Sequence, residues 1–592
     1  MAGAGWFVGN KPTTAATVSA GFRLCCTFGF TFLPDYSCMS IFPRPFLALL
    51  GVALLPAATF AQSATAPAPA KVVQWTNLDP TKDKVMGIST QRTYDELLKN
   101  RIPTPVIVAV IDAGVDTTHE DLKRVLWKNP GEIPGNGIDD DKNGYVDDVH
   151  GWNFLGNKKG QNVDVDLYEE TRLVAKLKPL YDGKKREAVP AAKRADYDLY
   201  QKVKQDYADK VKEENEQYMQ LAPLAGQLEG INEQLKQVLG VAKVDTAVLR
   251  NPPGASTNPQ LLQLTSQLYA NLKASGMPDM DAVVEQVKTG ATETKKHIDY
   301  SLNLDFKPRA VIGDDEDNTQ DRSYGNADIT GPDALHGTHV AGIIAADRDN
   351  NLGVQGVAGP LVRIMGVRAV PNGDEHDKDV ANAIRYAVDN GASIINMSFG
   401  KYYSPHRDAV DAAIRYAETK GVLLVHAAGN ESKNIDAVTH YPAPVPLKGT
   451  AYSNFITIGA SGSTNDAQLT AAFSNFGKRV DVFAPGVGIY STLPGSKYGN
   501  ESGTSMAAPT VAGVAAVLKS YFPQLTAADL KRIIRQSVIV EHTQVPEPAS
   551  KKTVDFATLS STGGVVSLYR AVQLATQQTA PKAGATGAAG GH

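Results

Sequence analysis

Three short motifs in this chain carry the residue types that acyl transfer needs. Asp112 directly follows the apolar run Val106 to Ile111, and His336 opens the stretch His336-Gly337-Thr338-His339-Val340-Ala341-Gly342. Ser505 sits in Gly503-Thr504-Ser505-Met506-Ala507-Ala508-Pro509, ahead of an apolar helical pattern over Thr510 to Lys519. Hydrolysing an acyl bond with a serine requires a base to take its proton, a group to hold that base in one tautomer, and donors for the developing oxyanion. A serine at a helix start also lies where the macrodipole and free N–H groups favour negative charge. Singly, a Gly-Thr-Ser is a helix entry and an Asp after a strand is a cap. His339, three residues beyond His336, raises the thought of a metal pair, but the Glu of a zinc-protease His-Glu-x-x-His is absent.

These residues need strands and helices to bring them together. Short apolar runs at Val106 to Ile111, Ala392 to Met397, Val422 to His426, Phe455 to Gly459 and Val480 to Phe483 predict buried strands. Between them, Asp377 to Asn390 and Asp408 to Lys420 repeat apolar residues at helical spacing. The alternation predicts an α/β fold with a parallel sheet and helices on both faces. In such sheets the site lies beyond the carboxyl ends of the strands, where Asp112, Ser398 and Asn430 all fall.

At the three motifs, and at Ala427-Ala428-Gly429-Asn430, the sequence resembles the subtilisin-like serine proteases in the chain order Asp, His, Ser. The similarity covers roughly Ile107 to Phe154 and Asp321 to Ala575. It implies that Ser505 attacks, His336 accepts its proton, Asp112 receives the other imidazole N–H, and Asn430 donates to the oxyanion beside the Ser505 backbone N–H. It also implies that Ser398, Phe399 and Gly400 offer an extended edge to a substrate strand, with Ala427, Ala428 and Gly429 as the far wall of the primary specificity pocket. Asp347 to Val354 looks like the calcium loop of that family, implying ligands from Asn350, the carbonyls of Arg348, Leu352 and Val354, and distant Asp121. A second acidic stretch places Asp139, Asp141, Asn143 and Asp147 around a turn glycine, Gly144, like the first half of an EF-hand loop; its twelfth position is His150 rather than Glu, so an Asx-rich turn is the alternative.

Composition bounds the rest. The 592 residues carry 59 basic and 63 acidic side chains, a net charge of −4, which gives no electrostatic reason to expect nucleic acid as a partner. The expected partners are protein or peptide substrates. Residues 1–38 read as an extension upstream of a better start at Met39, and 39–61 as a signal peptide with its apolar run Phe46 to Leu55. No later segment is apolar enough to anchor the chain in a membrane, so a secreted or periplasmic enzyme is expected. All three cysteines, Cys25, Cys26 and Cys38, precede Met39, which leaves no disulfide staples. Residues 62–104 read as a linker and N-terminal segment, 105–156 as the first part of a peptidase domain, and 157–310 as a helical insert of antiparallel helices. Residues 311–576 then complete the peptidase domain, and 577–592 read as a disordered tail. The expected activity is that of a secreted serine endopeptidase working through an acyl-enzyme. A ligase or cyclase with the same apparatus, or a binding protein of this fold, are the alternatives.

Overall fold

The computed structural model describes residues 72–254, 258–275 and 277–579. The expected upstream extension, the signal peptide and residues 580–592 lie outside them.

Five apolar runs become neighbouring strands of one sheet. In chain order its members are β1 (Val106–Asp112), β2 (Gly151–Asn153), β3 (Val362–Arg368), β4 (Ile394–Met397), β5 (Leu423–Ala427), β6 (Phe455–Ser461) and β7 (Val482–Pro485). A hairpin follows, β8 (Ile489–Leu493) with β9 (Lys497–Glu501), and then β10 (Ile539–Val540). A second small hairpin joins β11 (Gln544–Pro546) to β12 (Thr553–Asp555), and β13 (Gly564–Val565) returns to the main sheet. The nine strands of that sheet lie in the order β10-β13-β7-β6-β5-β4-β1-β3-β2, parallel except for the edge pair β10 and β13. Alternation along β1 explains why both faces are covered. Val106, Val108 and Val110 point into one apolar cluster, and Ala109 and Ile111 into the other.

The first cluster is filled by α6 (Leu335–Ala345), α9 (Thr504–Tyr521), α10 (Ala527–Gln536) and α11 (Leu568–Thr579); the second by α7 (Asp377–Asp389) and α8 (Arg407–Thr419). α11 carries regular structure through Thr579, past the expected boundary at 577, because Ala571, Val572 and Ala575 pack into the core. The stretch after Val72, expected as an N-terminal segment, packs onto the domain. Ile88 and Leu98 are buried in the same core, the Ile88 carbonyl accepts from the Leu568 N–H at 2.9 Å, and the Thr104 N–H donates to the Ser520 carbonyl at 2.9 Å. The two ends of the domain are thereby stitched to each other.

Between β2 and α6 run the helices α1 (Glu169–Tyr181), α2 (Arg194–Leu239), α3 (Thr246–Arg250), α4 (Pro259–Ser275) and α5 (Met280–Lys296). Periodicity predicted helix here, and α2 is one 46-residue helix that runs through Pro223. A proline there costs a backbone hydrogen bond, about 3 kcal/mol. Packing against a second helix offsets it: Tyr207 reaches the Leu302 carbonyl, Glu214 pairs with His297, Glu229 with Lys288 and Lys236 with Asp281. Partner numbers fall as α2 numbers rise, so α2 lies antiparallel to the α5 region. Among the described residues no helix is long and apolar enough to cross a membrane.

Candidate active site

β1 has β3 on one side and β4 on the other, and the chain passes from one side to the other over its carboxyl end. This is the switch point at which an α/β sheet opens a crevice. Asp112 ends β1 there. One oxygen of its buried carboxylate accepts from the Ala113 N–H at 2.8 Å and faces His336 Nδ1 at 2.7 Å, across 224 residues of sequence. His336 lies in the first turn of α6, its ring partly open to solvent. Burial works most strongly against its charged form. The Asp112 carboxylate and its hydrogen bond, with the charges of Glu501 and Asp333, outweigh that and hold the imidazole above its ordinary value. Glu501, at the end of β9 and four residues before Ser505, is itself pushed up to about 7 by burial, against the pull of His336.

Ser505 is the second residue of α9, which threads the middle of the core behind the strand ends. Its hydroxyl donates to the Ser398 carbonyl at 3.2 Å, and the Ser398 hydroxyl donates back to the Ser505 carbonyl at 2.9 Å. Asn396 on β4 holds that second hydroxyl through its side-chain amide at 2.9 Å. Asn430 is fixed by its carbonyl end: Oδ1 accepts from both the Thr504 N–H, at 2.9 Å, and the Thr504 hydroxyl, at 3.0 Å. That leaves the Asn430 amide N–H groups as donors beside the Ser505 helix terminus. Sequence reasoning quoted Thr504 only as a neighbour of Ser505, without its hold on Asn430, and missed Asn396, whose role rests on its contact to Ser398.

Ser398, Phe399 and Gly400 continue β4 beyond the sheet. The Phe399 carbonyl is within 2.9 Å of His426 Nε2, and Phe399 itself is buried. Gly400 makes no backbone hydrogen bond with any described residue. Across the site, Ala427 ends β5 and Gly429 takes φ +100°, a conformation that favours glycine; a Cβ there would meet Asn475 Nδ2 at 2.3 Å. Asn475 also holds the Ala428 carbonyl and the Glu431 carboxylate, which in turn accepts from the Tyr402 hydroxyl at 2.6 Å.

A profile of the Subtilase family matches residues 104–565. The chain belongs to the subtilase family. It is 46% identical over 186 residues to a thermophilic serine proteinase of Bacillus sp. strain AK1, covering 31% of this chain and 42% of that protein. To thermitase of Thermoactinomyces vulgaris it is 44% identical over 186 residues, 31% of this chain and 61% of that one. To the major intracellular serine protease of Bacillus subtilis it is 35% identical over 270 residues, covering 45% and 79%. The matches to the first two relatives therefore span less than two thirds of those proteins.

Two regions of this subtilase were expected to hold a cation. In the first, Asp121 is wholly buried and spends both oxygens on protein donors: the Asn350 amide on one, and the Val354 N–H at 3.2 Å and the Tyr498 hydroxyl at 2.8 Å on the other. The Arg348 carbonyl accepts from Gln355 Nε2 at 3.3 Å, and the Leu352 N–H donates to Asn350 Oδ1. In the second, Asp139 and Asp141 converge with Glu132, ligand atoms all within 4.8 Å of one another. Asn143 donates its amide to Asp141 and Asp148, and Asp147 accepts from the backbone N–H groups of Gly135, Asn136 and Gly137. Asn143 thus donates to the carboxylate cluster, and the Asp147 carboxylate is spent on backbone N–H groups. Glu132 was not foreseen; the signal was an acid seven residues ahead of Asp139, on the other limb of the turn. His339 is buried with Nε2 at 3.2 Å from the Gly499 carbonyl and is pushed down to about 3 by burial, a neutral structural ring.

Proposed function

We propose that this subtilase is a secreted serine endopeptidase that hydrolyses peptide bonds through an acyl-enzyme. The single observation that carries the reading is the Asp112 to His336 contact at the switch point, with Ser505 and the free donors of Asn430 gathered at the same strand ends. Asp112 fixes the imidazole with Nδ1–H toward itself, leaving Nε2 as the base. In this reading the Ser505 hydroxyl exchanges its hydrogen bond to the Ser398 carbonyl for one to that base. The proton passes to Nε2 as Oγ bonds the substrate carbonyl carbon; it then goes to the leaving amine, and water repeats the sequence to release the acid. The acyl part of the substrate lies along Ser398 to Gly400, where the open backbone groups of Gly400 suit main-chain pairing, with its last side chain against Ala427 to Gly429. The test is labelling of Ser505 by a fluorophosphonate together with hydrolysis of a blocked tripeptide anilide that the label abolishes. A folded protein that takes no label overturns the reading.

Asn430→Ala removes an oxyanion donor. We expect turnover to fall about 100 to 1000-fold, as for the corresponding asparagine of subtilisin, with KM nearly unchanged. A rise in KM at constant turnover would assign Asn430 to substrate binding instead.

The base works only when neutral. Because the folded environment raises His336, the neutral form appears at higher pH than for a free histidine, and the acid limb of kcat/KM sits above pH 6.5. Glu501→Gln removes one of the charges that favour the imidazolium, so the limb moves down in pH; an upward shift would contradict the assignment.

Calcium fits the carboxylates of Glu132, Asp139 and Asp141, hard oxygen ligands crowded together. There it would tie the Asn129 to Asp148 loop and supply stability rather than chemistry. At a hundredfold excess over its Kd an ion contributes about 2.7 kcal/mol, so chelation is expected to lower Tm by roughly 3 °C in a protein of this size. Secretion rests on residues 39–61 and is checked by finding a mature N-terminus at Gln62 outside the cytoplasm.

A further inference from the structure

The crevice above β1 has two walls. One is Ser398 to Lys401, which continues β4; the other is the segment Val370 to His376, which continues β3 and crosses the end of β1, where Ala369 and Val370 N–H groups donate to the Asp112 carbonyl. The first wall is open at Gly400. The second is not. Residues 164–167, just before α1, pair with it: the Asn372 N–H donates to the Asp164 carbonyl at 2.9 Å, the Asp166 N–H to the Asn372 carbonyl at 2.9 Å, and the Asp374 N–H to the Leu167 carbonyl at 3.3 Å. Arg172 of α1 then donates to the carbonyls of Asp374, at 2.9 Å, and Glu375, at 3.1 Å.

Lys401 completes the closure. Its side chain leaves the first wall and donates to the Glu375 carbonyl on the second at 2.6 Å, to Glu169 of α1 at 2.7 Å, and approaches Asp377 at 3.0 Å. Glu169 also holds Arg172 at 2.6 Å. All of these side chains are at most 9% exposed, so the bridge is packed rather than draped over the surface.

We propose that Glu169, Arg172 and Lys401 form a strap across the crevice that limits the acyl segment of the substrate to about three residues. The inference rests on the peptidase reading above and gives that site its substrate class: short peptides, and long chains only near an accessible N-terminal end. A strand advances about 3.3 Å per residue, so the stretch from Ser398, beside the nucleophile, to Gly400 accommodates about three substrate residues before the bridge. A fourth finds the opposite carbonyls already taken by Arg172 and Lys401 and the buried charges of the strap in its way.

The test is a series of acyl-blocked peptide anilides with one to six residues before the scissile bond, run on the whole protein with fluorophosphonate labelling as the control for a competent site. The expected kcat/KM rises to the three-residue member, then falls about tenfold or more for five and six residues. A steady rise through five and six residues overturns the proposal, as does a labelled protein inert to the three-residue member. A protein that takes no label overturns the peptidase reading instead. The double variant E169Q/R172Q, folded by circular dichroism, is expected to bring the five-residue member back level with the three-residue one; an unchanged ratio overturns the assignment to these side chains. If that variant does not fold, the wild-type series decides.

Discussion

Replacing Ser505 by alanine is expected to abolish peptide hydrolysis while leaving the protein folded. The loss is about 10⁶-fold, the value known for the nucleophile of subtilisin itself, equivalent to about 8 kcal/mol of transition-state stabilisation. Stability should hardly change, because the Ser505 hydroxyl makes one hydrogen bond, to the Ser398 carbonyl. The helix is fixed by other groups, including the Ser398 hydroxyl on the Ser505 carbonyl and Thr504 on Asn430. The measurement pairs anilide hydrolysis with thermal unfolding of the same preparation. A decrease of less than a hundredfold at unchanged Tm would remove Ser505 from the nucleophile's role.

Asp379→Ala is expected to be the most damaging change away from the crevice floor. Asp379 is fully buried on α7 and accepts from Arg309 Nη1 at 2.7 Å, from Arg309 Nη2 at 3.2 Å and from the Tyr324 hydroxyl at 2.6 Å. Arg309 is 9% exposed and is also held by Asp314, which Lys378 shares at 2.8 Å. Removing the carboxylate leaves a buried guanidinium and a buried phenol short of their partner. Breaking one side of a buried pair costs about 3–5 kcal/mol, and Tm is expected to fall by roughly 3–5 °C in a protein of this size. Asp379→Asn keeps the shape and an acceptor and should lose less. A change below about 0.5 kcal/mol for the alanine variant would mean that these charges behave as an exposed pair.

The sheet and the residues that meet at its strand ends were legible in the sequence because both are written locally. Val106 to Ile111 is apolar at every position, as a strand buried on both faces must be, and the functional side chain follows it at once. Asp112, His336 and Ser505 each announce themselves within a few neighbours. What holds them in place does not. Thr504 orients Asn430 from 74 residues away and Asn396 acts on Ser398, which meets Ser505 107 residues on; a hydroxyl or an amide at such a position looks like any other. The helices of 157–310 could be read from their spacing, but not where they dock. Arg172 reaches the Glu375 carbonyl across 203 residues, and the chain carries Arg, Glu and Lys throughout that stretch without marking which ones turn inward. The acidic turn shows the same limit. Alternation picked out Asn143 and Asp147, whereas the fold of the loop turns Glu132 toward Asp139 and Asp141 and gives Asp147 to backbone N–H groups.

The stitching of Ile88 and Thr104 to Leu568 and Ser520 also sets the order in which the molecule can come into being. β1 is made early, yet one of its apolar faces is covered by α6 and α9, which come much later in the chain. Contacts that distant in sequence close late and slowly. A partly synthesised chain therefore exposes the side of β1 that α9 will cover, and has no Ser505 at all. Asp112, His336 and Ser505 can therefore stand together only after α9 has been made and has docked behind β1.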